Sequence, residues 1–151
     1  MIRLFILFFV GSFFSSLVVA QETNESYWLL NFDSAKTIAQ VENKHILIAF
    51  TGSDWCTNCI KLEKEILNQE TFLAFAVKNL VMVRADFPRR KKNLLPEIQT
   101  KHNEQLAASY NSAGQFPTVA LVTKNGKLIN TTGYLPINPG QYVEHIKSLL
   151  K

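Results

Sequence analysis

The feature that most constrains the fold is a run of five apolar residues, Ile46 to Phe50, which stops abruptly at Thr51-Gly52-Ser53-Asp54. A short continuous apolar run bounded by turn-forming residues is typical of a strand that is buried on both faces. Gly, Ser and Asp form turns and cap helices, and a helical pattern begins soon afterwards, at Cys56. The segment therefore predicts a buried strand, a turn and a helix, as found in α/β sheets.

The rest of the chain alternates in the same way. Asn125-Gly126, between the last two predicted strands, is a strong hairpin signal. The order predicts an α/β sandwich of three layers, in which helices flank a central mixed sheet of about four strands. Pairing should be parallel early in the chain and antiparallel at the late edge. The predicted elements are a helix capped by Ser34 and running to about Asn43, helical stretches from Cys56 and over 70–78, a strand at 80–83, a helix from Pro96 to about Tyr110, strands at 118–123 and 128–132, and a helix from Asn138 to Leu150.

The first 20 residues, MIRLFILFFVGSFFSSLVVA, carry a single charge at Arg3 and end in small side chains at Val18 and Ala20. This pattern predicts a cleaved signal peptide over 1–20, then a polar lead-in over 21–32 and one domain over 33–151. The alternative is an uncleaved membrane anchor, because the 17 residues from Leu4 to Ala20 lie at the lower limit for a span.

Composition excludes several classes of protein. Two cysteines in 151 residues are too few for the disulfide framework of a small secreted scaffold. A hydrophobic fraction of 47% is too high for intrinsic disorder. The net charge of +4 is mild and does not predict a nucleic-acid partner. The one basic run, Arg89 to Lys92, is predicted to be a solvated loop, with an acidic partner or a membrane surface as the alternatives.

Cys56 and Cys59 are separated by two residues and lie at the start of a predicted helix. A helix N-terminus stabilises a thiolate, because its N–H groups are free and carry partial positive charge. The thiolate is the nucleophile of disulfide exchange, and a second cysteine one turn along can attack the resulting mixed disulfide. Trp55 supplies an apolar flank. The pair is therefore predicted to be redox-active.

Other uses of the two cysteines are less consistent with the pattern. A structural bridge that closes only four residues constrains the unfolded chain little. A zinc site needs at least three protein ligands, and His45, His102 and His145 have no ligand spacing to the pair. Covalent haem attachment requires histidine after the second cysteine, where the chain has Ile60. No metal and no cofactor are predicted, and two inert buried thiols remain an alternative.

The segment from Gly52 to Cys59, preceded by a buried strand, resembles the active site of the thioredoxin superfamily, and Phe116-Pro117-Thr118 resembles its cis-proline loop. The segments 86–92 and 132–136 resemble exported bacterial members, in particular the periplasmic domains of membrane thiol–disulfide interchange reductases. The resemblance covers nearly all of residues 28–151. It implies a thioredoxin-like sandwich in which Cys56 is the nucleophile and Cys59 the resolving thiol. It also implies a cis Pro117 against the sulfurs and a backbone at Phe116 that pairs with an extended substrate. The predicted supporting residues are Trp55, Thr57, Asn58, Phe116 and Pro117.

The chain departs from the thioredoxin pattern in two places. The buried acid that usually precedes the active site is replaced by Ala49 or Phe50, depending on a one-residue shift, and neither accepts a proton. Asp54 or Asp86 could substitute for it. The dipeptide between the cysteines, Thr57-Asn58, lacks the proline found in thioredoxin itself.

The resemblance implies a monomeric periplasmic thiol–disulfide oxidoreductase that acts on protein cysteines, with reduction favoured over oxidation. Its partners would be proteins with disulfides or free cysteines, and a membrane thiol reductase as the electron donor. The alternative location is the inner membrane, through an uncleaved N-terminal segment. The alternative functions are a non-catalytic thioredoxin-fold module that docks extended peptide segments and a metallochaperone that uses the two thiolates.

Overall fold

The structure is a computed structural model that describes residues 27–151. The predicted signal peptide or anchor lies outside the described residues. Among residues 27–151, no helix combines the length and the apolar character needed to cross a membrane. The elements are β1 (Trp28–Leu29), α1 (Phe32–Glu42), β2 (His45–Thr51), α2 (Thr57–Leu62), a π-helical segment (Glu63–Leu67), α3 (Glu70–Asn79), β3 (Leu80–Asp86), a 3-10 turn (Lys91–Asn93), α4 (Glu97–Tyr110), β4 (Thr118–Val122), β5 (Leu128–Thr132) and α5 (Pro139–Leu149).

The strands form one mixed sheet in the order β1-β3-β2-β4-β5. β3 pairs in parallel with both β1 and β2, whereas β4 is antiparallel to both β2 and β5. The predicted α/β class and the change from parallel to antiparallel pairing are therefore confirmed. The sheet has five strands, and the extra one is β1, inside the segment predicted as a lead-in. Its two half-buried residues are too few to give a strand pattern in the sequence.

β2 lies at the centre of the sheet, and six of its seven residues are buried. Successive side chains of a strand point to opposite faces. Leu47 and Ala49 pack in a cluster with residues of α2, α3 and α5. Ile46, Ile48 and Phe50 pack on the other face with residues of α1 and α4. The sheet therefore separates two helical layers, as the apolar run of β2 requires.

The helix ends show where local sequence decides the structure. α5 begins with the predicted Asn138 cap and Pro139, and Gln141 completes a capping box. The predicted helix α1 is present and ends at its C-cap Asn43 as expected, but its predicted N-terminal cap was wrong: Asn31 is the cap, and its side chain accepts a hydrogen bond from the Ser34 N–H at 2.8 Å. The earlier start allows Phe32 to pack in the core, where it is 7% exposed. The burial of Phe32 therefore favours a cap three residues earlier than the predicted one.

Candidate active site

A disulfide joins Cys56 and Cys59, whose Cα atoms are 5.2 Å apart. β2 ends at Thr51, and the chain turns at Gly52, whose carbonyl accepts the N–H of Cys56 at 2.9 Å. Cys56 then caps α2, and its Sγ accepts a hydrogen bond from the Cys59 N–H at 3.2 Å. A hydrogen bond to the charged form of a group stabilises that form. The same N–H is therefore placed to stabilise a thiolate at Cys56 after reduction.

The two cysteines differ in their positions on α2. Cys56 precedes the first helical residue and is 7% exposed, whereas Cys59 lies within the helix and is 2% exposed. Thr57 and Asn58, between them, are exposed. Cys56 is therefore the more accessible of the two cysteines to an incoming disulfide.

Trp55 is held in place by three different groups. Its indole N–H donates to the Phe87 carbonyl at 2.7 Å, and its ring lies edge-to-face with Phe116 at 5.4 Å between centroids. The Arg89 guanidinium lies 3.7 Å from the centre of the same ring. Gly52 lies against the indole, where any side chain would collide with it. The apolar flank predicted beside Cys56 is therefore a fixed wall.

The loop after β3 is bound to the active-site turn through two carboxylates. Asp86 accepts hydrogen bonds from the Ser53 N–H at 2.9 Å and the Ser53 hydroxyl at 2.6 Å. Asp54 accepts from the backbone N–H groups of Arg89 and Arg90 at 3.0 and 2.9 Å. The hydrogen bond from the Arg89 N–H is the main cause that holds the pKa of Asp54 below its usual value. Both acids proposed as substitutes for the missing one are thus engaged in joining turn and loop.

The basic run was predicted to be a solvated loop, and all four of its residues are exposed. The prediction did not include two contacts of the run: the Arg89 guanidinium lies over Trp55, and the backbone of Arg89 and Arg90 donates to Asp54. A four-residue charge run gives no sign of such contacts, because they depend on the approach of β3 to the turn after β2.

The Phe116–Pro117 peptide bond is cis. Phe116 lies between Trp55 and Phe87, with ring centroids 5.4 and 5.3 Å away. The structure thus brings the two predicted motifs together through Trp55 and Phe116. The contact of Pro117 with the sulfurs stays a prediction.

Asn111 is a supporting residue that the sequence interpretation missed. It is buried, its side-chain N–H donates to the Gln115 carbonyl at 2.9 Å, and its oxygen accepts the Gln115 N–H at 3.2 Å. Its oxygen also accepts the Thr118 hydroxyl at 3.3 Å. Asn111 therefore shapes the loop that leads into Pro117. The only signal in the sequence was an asparagine at the end of a predicted helix.

The structure decides between the two positions considered for the missing acid. Ala49 shares a buried cluster with Leu62 of α2, whereas Phe50 packs on the opposite face of the sheet. The side chain beneath the cysteine helix is therefore the methyl group of Ala49, which is 6% exposed.

Within residues 27–151, no group of three or more His, Cys, Asp or Glu side chains is placed to hold a metal ion. Two of the three histidines have partners elsewhere in the fold. His102 Nε2 accepts the Phe32 N–H at 3.2 Å, and His145 Nε2 lies 2.9 Å from the Thr132 hydroxyl. His102 therefore connects α4 to α1, and His145 connects α5 to β5.

Comparison with known proteins gives a consistent result. A family model described as thioredoxin-like matches residues 27–124. The disulfide bond reductase DsbH of Chlamydia pneumoniae is 41% identical over 110 residues, which cover 73% of this chain and 64% of that protein. The thioredoxin-related protein DsbJ of the same organism is 22% identical over 114 residues, covering 75% and 32%. The chain thus matches less than two thirds of either relative's length. A solved structure titled DsbH oxidoreductase has a TM-score of 0.75 at 35% identity, covering 82% of this chain and 83% of the other.

Proposed function

The chain belongs to the thioredoxin-like family, and from that membership we propose that it is a thiol–disulfide oxidoreductase that reduces disulfides in other proteins. The observation that carries the proposal is the Cys56–Cys59 disulfide at the start of α2, with the Cys59 N–H directed at Cys56 Sγ. Reduction is favoured over oxidation because a relative of 41% identity is named a disulfide bond reductase.

The reaction starts from the reduced pair. The Cys56 thiolate attacks one sulfur of a substrate disulfide, so that a mixed disulfide forms and one substrate thiolate leaves. The Cys59 thiolate then attacks Cys56 Sγ and displaces the second substrate thiolate. The substrate gains two electrons and two protons, and the protein returns to the oxidised form described here. An external dithiol must reduce the pair before the next cycle.

The neighbouring residues would receive the substrate chain. Trp55 and Phe116 are in edge-to-face contact and would form an apolar wall beside Cys56. The backbone at Phe116, next to the cis Pro117, would pair with an extended substrate segment by strand addition. Thr57 and Asn58 are exposed between the cysteines and would meet the substrate first.

The cellular setting follows from the N-terminal segment. Residues 1–20 have the pattern of a signal peptide, and a chain exported in this way would work as a monomer in the periplasm. Disulfides persist in that compartment, so proteins with disulfides are present as substrates. A membrane thiol reductase would supply the electrons.

The proposal is tested by single-turnover reduction of a disulfide-bonded model protein. We expect the Cys56→Ser variant to be inactive and to form no adduct. The Cys59→Ser variant should accumulate a mixed disulfide through Cys56, visible as a mass increase that a thiol reagent reverses.

The reduction potential of the pair tests the direction. A potential near about −270 mV supports a reductase, and one near about −120 mV contradicts it. If Cys56→Ser retained full function in the cell, the protein would be a docking module that keeps the fold without the chemistry.

A further inference from the structure

A cavity of 330 Å³ opens beside Trp55, between the active-site turn and the segment that follows β3. Its size lies at the lower end of the range for small-molecule pockets, about 300–1,000 Å³, and suits one large side chain better than an extended ligand. The residues that form most of its wall are Trp55, Phe87, Arg89, Leu94, Leu95 and Phe116.

The wall is largely apolar and includes Leu94, which is 60% exposed. On the other side, Phe116 and Trp55 present the aromatic wall already described. An apolar side chain that enters the cavity would cover both surfaces and gain the free energy of apolar burial. Because Trp55 also flanks Cys56, such a side chain would belong to the segment whose disulfide is attacked.

An excess of positive charge lies in the segment that connects two lining residues of the cavity, Arg89 and Leu94. Arg90, Lys91 and Lys92, here called the basic rim, are exposed and follow directly on Arg89. None of the five ion pairs within residues 27–151 includes the basic rim. The nearby carboxylates of Asp54 and Asp86 offset part of this charge, but the four basic residues from Arg89 to Lys92 exceed these two acids by two positive charges. The rim therefore complements a partner with negative charge.

We propose that the cavity and the basic rim form a docking site for one kind of substrate segment, in which a large apolar residue next to the reactive cysteine is flanked by acidic residues. The apolar residue enters the cavity, and the acidic residues lie against the basic rim. This inference rests on the proposed reductase function and names the substrate class of that site.

The test uses three peptides, each with one intramolecular disulfide. The first has phenylalanine next to a cysteine and two aspartates beyond it. The second replaces the aspartates by lysines, and the third replaces the phenylalanine by serine. Fully reduced protein is mixed with each peptide in a single turnover, and the oxidised protein and reduced peptide are quantified after acid quenching.

We expect the acidic peptide to react about tenfold faster than the basic one at low salt, and the ratio to shrink as salt is added. The phenylalanine peptide should react about fivefold faster than the serine peptide, because only its side chain fills the cavity. Both ratios are measured on the wild-type protein, so neither depends on whether a variant folds.

Two variants assign the ratios to the proposed residues. Lys91→Glu/Lys92→Glu should reverse the preference for the acidic peptide, and Leu94→Ser should reduce the preference for phenylalanine. The matched control is Lys78→Glu/Lys127→Glu, which changes the net charge equally and should keep both preferences. Lys78 precedes β3 and Lys127 follows β4, both at the end of the sheet opposite Cys56, because Ile46 at the start of β2 pairs with Val81 and Val122.

The outcomes separate this inference from the proposed function. If the wild-type protein reduces all three peptides at equal rates, the docking site is wrong and the reductase function stands. The docking site is also wrong if the rim variant keeps the preference for the acidic peptide. Failure of the wild-type protein to reduce any of the peptides would overturn the reductase function itself.

Discussion

Replacement of Gly52 by alanine should release Trp55 from its place beside Cys56. A Cβ built at Gly52 comes within 3.0 Å of three atoms of the indole, so the ring has to move. Gly52 itself is buried in the turn and cannot yield, because its carbonyl accepts the Cys56 N–H. The substitution therefore tests whether the position of the Trp55 ring depends on the absence of a side chain at Gly52.

The size of the effect follows from the contacts that the indole loses. The hydrogen bond to the Phe87 carbonyl contributes about 1 kcal/mol. The Arg89 stacking and the edge-to-face contact with Phe116 contribute about 1 kcal/mol each. Since Trp55 is only half-buried and its new position regains some contacts, we expect a loss of about 2 kcal/mol in the free energy of unfolding.

The assay is urea unfolding followed by tryptophan fluorescence, with Trp28→Phe in every protein so that Trp55 is the only reporter. Gly52→Ala should lower the unfolding midpoint and shift the native emission to longer wavelength, as the indole moves towards water. The control is Gly140→Ala in the first turn of α5, where an added Cβ comes no closer than 3.4 Å to its neighbours. The reasoning is refuted if Gly52→Ala keeps both the native emission and the unfolding free energy of its parent.

Three further predictions follow from the surroundings of the site. Asn103→Ala should lower the free energy of unfolding by about 1–3 kcal/mol, because the buried Asn103 amide donates to the Asp86 carbonyl at 2.8 Å, and urea unfolding beside the exposed control Gln105→Ala would show it. Asp54→Asn should lower the free energy of unfolding at neutral pH and have a progressively smaller effect in acid. The folded-state pKa of Asp54 lies below the usual 3.8, so its stabilising contribution is present above that value and is lost as the pH falls through the folded pKa. An equal difference in unfolding free energy between wild type and variant at pH 7 and at pH 3 would contradict this. Ala49→Asp should destabilise the protein more than Ala49→Asn does, by a margin that grows as the pH rises above about 4. The reason is that burial raises the pKa of the new carboxyl. Equal unfolding free energies of the two variants at pH 7 would show that the site is open to water.

Local pattern was enough for most elements of the fold. The apolar run of β2, the hairpin at Gly126 and the capping box of α5 each depend on residues adjacent in the chain. Gly126, for example, has a φ of 85°, which glycine adopts without strain. β1 was missed because it is stabilised by pairing with β3 and has almost no pattern of its own.

The candidate site likewise contains residues that local sequence reveals and residues that only the tertiary structure reveals. Cys56, Cys59 and Trp55 are recognisable because their chemistry depends on spacing within one turn and one helix. The role of Asp54 was not recognisable, since its hydrogen-bond donors lie 35 or more residues away on the loop after β3. The contact of Arg89 with Trp55 was not recognisable for the same reason, since it exists only because that loop folds back over the turn.

The sequence by itself determined the α/β class and the position of the dithiol pair at a helix start. These features depend on short-range order along the chain, where the period of apolar residues and the spacing of the cysteines act directly. Only the tertiary structure decided that Ala49, and not Phe50, lies beneath α2, and that the segment carrying the basic rim connects two lining residues of a cavity beside Trp55. The facing of a strand residue depends on pairing register, and the meeting of two loops depends on the packing of their strands, so neither can be obtained from residues adjacent in the chain.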